Sequence, residues 1–177
     1  MNKTDLYDDY PIRIVLLRVT IAWAFFISAS VVMSFWGMAF LAGFIVLASA
    51  VFVWIMANVC TSCVYHGRRC DLALGLLVGI LFKQQRDDRR FNRMGKRSFL
   101  LLYVLAGIPL LAGAAEMIVD FKVQILIWTS IYVILTAVFF LSTPLVSCPH
   151  CKMQDWCVFC WSFQRKTERK QKESDST

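Results

Sequence analysis

Residues 19–58 run for 40 consecutive positions without an Asp, Glu, Lys or Arg. A helix needs about 20 such residues to cross the hydrocarbon core of a bilayer, so the run has room for two crossings. Two further uncharged stretches follow, Ser98 to Ala115 and Val123 to Cys151, each long enough for one more. Composition agrees: 58% of the 177 residues are hydrophobic and 18% are charged, too apolar for a soluble domain of this size. The expected fold is an all-α integral membrane protein with four transmembrane helices in two hairpins. Arg13 and Arg18 before an apolar core resemble the start of a signal peptide, but Val31-Val32-Met33 continues past the small residues Ser28-Ala29-Ser30, so the first span is expected to be retained.

The chain divides along these runs. Residues 1–11 form an N-terminal arm, expected at the surface, and 12–59 the first hairpin, with helices near 12–35 and 38–59 about a turn at Trp36-Gly37. Residues 60–97 are a cysteine-containing basic loop holding a short apolar segment, 71–82, which is too short to span and is expected at the interface. Within it, Gly75 and Gly79 could let another helix approach closely. The second hairpin occupies 98–146, with helices near 98–119 and 124–145, and Pro109 is expected to kink the first of them near Ala106. Glu116 and Asp120, beside Lys122, mark the watery end of that hairpin rather than a buried carboxylate pair. Residues 147–164 carry a second cysteine cluster, and 165–177 are a basic tail.

Positive charge sets the expected orientation. The loop from Cys60 to Arg97 carries nine Lys and Arg and the C-terminal segment six, against Lys122 alone in the two opposite turns. By the positive-inside rule both termini and the central loop face the cytosol of a multi-pass cell-membrane protein. The basic run Lys83–Arg97 and the tail are then suited to anionic lipid headgroups. Nucleic acid is not expected, because the run lacks interleaved aromatics and is pinned between membrane segments.

All seven cysteines and both histidines fall in two clusters, each beginning where an apolar run stops. The first is Cys60, Cys63, His66 and Cys70; the second is Cys148, His150, Cys151, Cys157 and Cys160. Three of the pairs are Cys-x-x-Cys, a spacing that presents two thiolates to one metal ion. On the cytosolic side thiols stay reduced, so a disulfide framework is not expected and metal binding is. Structural zinc in a cysteine-rich cap is the leading expectation, making the chain a non-catalytic accessory or scaffold protein, with a membrane or cytosolic protein as partner. Cys60, Cys63, Cys148 and Cys151 could hold one ion and the remaining thiols and a histidine a second, or each cluster could hold its own. The alternatives are an iron-sulfur cluster passing electrons to a lipid-soluble carrier, and soft-metal or thiol-redox handling. No hydrolytic triad can be assembled while both histidines lie inside cysteine clusters, and there is no nucleotide-binding glycine loop.

At these residues the chain resembles a group of small prokaryotic membrane proteins of unknown function, with Cys-x-x-Cys-x-Tyr-x-Gly-x-x-Cys after the second helix and Ser-Cys-x-His-Cys-Lys after the last. Cys60, Cys63, Tyr65, Gly67 and Cys70 match the first pattern, and Ser147, Cys148, His150, Cys151 and Lys152 the second. The resemblance departs at Val158, where it leads to an expectation of proline. It implies the four-helix architecture and no activity.

Overall fold

A computed structural model describes residues 6–85, 87–119, 122–152 and 160, with the backbone alone for 88–90. The described chain is all-helical: α1 (Ile12–Ser34), α2 (Met38–Asn58), α3 (Leu74–Leu81), α4 (Asp88–Val119) and α5 (Val123–Ser142). Four of them, all but α3, are long and apolar enough to cross a membrane. The protein is a multi-pass membrane protein. Cys157, Asp120, Arg86 and the basic tail lie outside the described residues.

At 1.5 Å per residue the 23 residues of α1 extend about 35 Å, enough for a hydrocarbon core of roughly 30 Å. The chain then reverses at Gly37, whose φ of 103° lies where a side chain would be strained. Trp36, beside it, donates its indole N–H to the Ala112 carbonyl of α4 at 3.1 Å, which ties the first hairpin turn to the second hairpin. Helices α1, α4 and α5 pack on one another, with α2 against α1 and α4. Their shared core is Phe25, Ala29, Val32 and Met33 of α1, Phe44 of α2, Leu105 and Ala106 of α4, and Tyr132 of α5. In lipid there is no hydrophobic drive to pair helices, so close packing and interhelical hydrogen bonds carry the association. Tyr132, fully buried, supplies both: its ring stacks on Phe25 at 5.5 Å and its hydroxyl donates to the Ala106 carbonyl at 2.8 Å. Gly113 supplies closeness, since a Cβ there would stand 2.6 Å from Thr129 Oγ1. Outward, Ile118 is 86% and Leu111 74% exposed, an arrangement that suits lipid and not water.

Two elements differ from expectation in their bounds. Helix α4 begins at Asp88, ten residues before the predicted start at Ser98, because charged residues need not end a helix where it leaves the apolar phase. Pro109 lies inside it. Helix α5 ends at Ser142 and gives way to a π-helical turn, Thr143–Ser147, then a 3-10 turn, Cys148–His150. Pro144 has no N–H for the carbonyl four residues back and its ring crowds that turn, so the wider winding accommodates it. The short segment expected at 71–82 is the helix α3, whose Leu76, Leu77, Ile80 and Leu81 form one exposed apolar face.

Candidate cysteine site

Each Cys-x-x-Cys at a helix end winds into the same turn. The Cys63 amide donates to the Cys60 carbonyl and the Cys151 amide to the Cys148 carbonyl, both at 3.3 Å. After the first turn the chain bends back through Gly67, at φ 73°, and its amide donates to the Gly75 carbonyl at 2.9 Å. Gly75 and Gly79 therefore do permit a close approach, but what approaches is the cysteine loop and not another helix. A Cβ on Gly79 would stand 2.6 Å from the Gly67 Cα, and one on Gly75 would run into the carbonyl oxygens of Tyr65 and Arg68.

The N-terminal arm is a strap across both clusters, where a surface arm was expected. Tyr7 N–H donates to the His150 carbonyl and Tyr10 N–H to the Arg69 carbonyl, each at 3.1 Å. The Tyr10 hydroxyl, on a residue 2% exposed, donates to the Ser147 carbonyl at 2.8 Å. Tyr65 completes the weave, donating its hydroxyl to the Tyr7 carbonyl at 3.0 Å and accepting from the Lys152 amide at 3.1 Å. Burial pushes its phenol up to about 12 against the pull of that amide, so it stays protonated and able to donate. At the arm's edge the Lys152 ammonium bonds Asp8 and holds its carboxyl below the usual range.

Beneath the strap lies a charge inside the bundle. Arg18 of α1 is 1% exposed, and its guanidinium Nε meets the Asp71 carboxylate at 3.1 Å. Nη1 donates to the Phe139 carbonyl at 3.2 Å and to Ser142 Oγ, and Nη2 to Thr143 Oγ1 at 2.7 Å. One side chain thereby joins α1, the loop before α3, the end of α5 and the turn after it, with its charge paired as burial requires.

A cavity of about 1840 Å³ runs between the spans to this end of the bundle, and Cys60, Cys63, Cys70, Cys148, Cys151 and Cys160 all lie on its wall. The two clusters, 88 positions apart from Cys60 to Cys148, thus meet at one place. Cys148 and Cys160 are joined as a disulfide, while Cys60, Cys63, Cys70 and Cys151 are in no disulfide among the described residues. The disulfide corrects the expectation that the thiols are all reduced, and both zinc partitions count Cys148 and Cys160 as thiolates. Among the described residues no three of His, Cys, Asp and Glu are grouped so as to hold a metal ion. Cys70 Sγ accepts the Gly75 N–H at 3.1 Å, and burial pushes its thiol up. His66 donates Nε2–H to the Phe82 carbonyl at 3.0 Å, and His150 stacks on the Tyr7 ring at 4.6 Å. Both histidines therefore have structural partners.

Tyr7, Tyr10 and Asp71 carry no local signal in the sequence, Arg18 is read there only against a signal peptide, and Ser147 only as part of the second cysteine pattern. Arg18 was open to notice, since it stands six residues inside a predicted span. No protein-family model, curated protein or solved structure matches the chain.

Proposed function

We propose that this membrane protein carries out two-electron thiol–disulfide chemistry at the cytosolic end of its bundle. The observation that supports it is the Cys148–Cys160 disulfide standing on the same cavity wall as Cys60, Cys63, Cys70 and Cys151. If the charge asymmetry sets orientation, that wall faces a compartment that keeps structural disulfides rare, and disulfides found there are usually redox-active. Exchange balances within the site. A thiolate attacks one sulfur of the disulfide and frees the other as a thiolate; a second thiol then displaces the first bond, leaving one disulfide and two thiols as before.

The test is thiol counting. Membranes quenched in acid and tagged with a maleimide mass label should show a species with two fewer tags than the seven available, and a dithiol reductant should restore them. Cys160→Ser should abolish that species. Seven tags without reductant, on protein carrying stoichiometric zinc or iron, would overturn the proposal.

That second outcome is the metal-scaffold reading, with zinc or an iron-sulfur cluster as the group. A separate observation favours it: the Gly75 N–H directed at Cys70 Sγ, since backbone donors stabilise a thiolate as they do in ligating cysteines. In that case the ion clamps the cytosolic loops and the chain serves as an accessory to a partner.

A further inference from the structure

The cavity is larger than the cysteine end requires. At about 1840 Å³ it exceeds the roughly 300–1,000 Å³ of ordinary small-ligand pockets. Its long walls are aromatic and aliphatic side chains of α1, α2, α4 and α5, among them Phe26, Phe52, Phe99 and Phe140. Trp23, Ile45 and Val53 belong to the same wall and are exposed, so the cavity is open at the level of the spans, where lipid surrounds the bundle. Its shape is that of a lateral port, apolar along the shaft and thiol-lined at the end.

The polar end restricts what could occupy it. Arg18 is the buried cation there, and each nitrogen of its guanidinium already has a partner. Lys96, the other cation on the wall, is exposed. A phosphate head would find no unpaired buried charge to meet it. Of the three buried hydroxyls without a hydrogen-bond partner among the described residues, Ser62, Thr129 and Ser147, the one on the cavity wall is Ser147, 5% exposed. It adjoins Cys148 in the chain. A ligand that suits these features has a long apolar tail and a neutral head with a hydrogen-bond acceptor.

We infer that the cavity is the site of a lipid-soluble quinone, which takes the electrons of the Cys148 and Cys160 thiols. This rests on the thiol–disulfide reading above. The step balances: the two thiols lose two protons and two electrons as the S–S bond forms, and the two quinone carbonyls gain them to become the hydroxyls of the hydroquinone. Ser147 Oγ–H is the donor that would hold one carbonyl beside the sulfurs.

The experiment uses the full chain in nanodiscs, reduced with dithiol and freed of excess reductant, with a decyl-chain benzoquinone as the probe. Quinone reduction is followed by absorbance and thiols by mass tagging. Wild type should reduce about one quinone per disulfide formed, and Cys148→Ser should reduce none. Ala48→Trp, which places bulk in the shaft far from the sulfurs, should slow quinone reduction at least tenfold while reaction of the thiols with a soluble disulfide stays at the wild-type rate. Ser147→Ala should raise the quinone concentration needed for half-maximal rate. If wild type forms its disulfide with the soluble disulfide but leaves quinone untouched, or if Ala48→Trp reduces quinone at the wild-type rate, the quinone site is wrong and the thiol chemistry stands. If neither oxidant forms the disulfide, both fail. Copurification of phospholipid alone in the cavity, with no quinone reduction, also overturns the inference.

Discussion

Arg18 shows most plainly how a single residue can hold this molecule together and still look ordinary in the chain. Its partners lie 53 positions away at Asp71 and 121 to 125 positions away at the end of α5 and the turn after it, and no local pattern announces that they converge. A charge buried among spans is tolerated only because it is paired and fully hydrogen-bonded. Removing one partner strands the other. Arg18→Ala should therefore destabilise the protein by about 3–5 kcal/mol, the usual cost of breaking a buried pair. Arg18→Met combined with Asp71→Leu should cost less than Arg18→Ala, because it leaves no orphaned charge. Thermal unfolding in detergent measures both; equal losses in the single and double variants would make the contact incidental. The cysteines are the opposite case. Their clustering was plain from the sequence, because seven thiols outside long apolar runs need a reason, and six of them do share one wall. That two of them are joined was not legible, since spacing cannot distinguish a disulfide from a pair of ligands.

At the scale of elements, charge patterning located the spans well and their ends less well. An uncharged run marks what lipid must cover, whereas a helix continues for as long as its backbone bonds are satisfied. Hence α4 starts at Asp88, and its 32 residues reach about 48 Å, well beyond the hydrocarbon core. The segment 71–82 was rightly read as too short to cross, and α3 within it has a face of four exposed apolar side chains that suits an interface. What its glycines do became visible only in three dimensions. Gly75→Ala drives a Cβ into two backbone carbonyl oxygens, and backbone cannot swing aside as a side chain can. The loop must then lift from α3, taking with it the Gly75 N–H that bonds Cys70 Sγ. Cys70 should become alkylated several-fold faster than in wild type under native conditions. Gly43→Ala, where a Cβ meets nothing within 4 Å, should leave the rate unchanged. A slow, wild-type rate in Gly75→Ala would mean that the loop is not held by this packing.

For the whole molecule the decisive property is polarity along the bundle axis. Helices α2 and α5 both deliver a Cys-x-x-Cys turn to one end, and the N-terminal strap binds both there. At the opposite end, among the described residues, lie the Gly37 turn and Lys122 before α5. Arg68 and Arg69 of the cysteine loop belong to the cysteine end, as does Lys83, two residues before Gln85, whose amide bonds the Thr61 carbonyl, so the positive-inside rule and the placement of the sulfurs make one joint claim about topology. An impermeant maleimide applied to vesicles of known orientation tests it. Cys63, which is in no disulfide among the described residues, should be labelled from the cytosolic side only. A cysteine introduced as Lys122→Cys, at an exposed position in the far turn, should be labelled only from the other side. Labelling of both from one face would mean that the hairpins do not cross, and the cavity between them could not be a port to lipid. Labelling from opposite faces with Cys63 outside would keep the fold and reverse the chemistry. The disulfide would then stand in an oxidising compartment, where a structural staple needs no redox partner, and the thiol cycle would lose its main support.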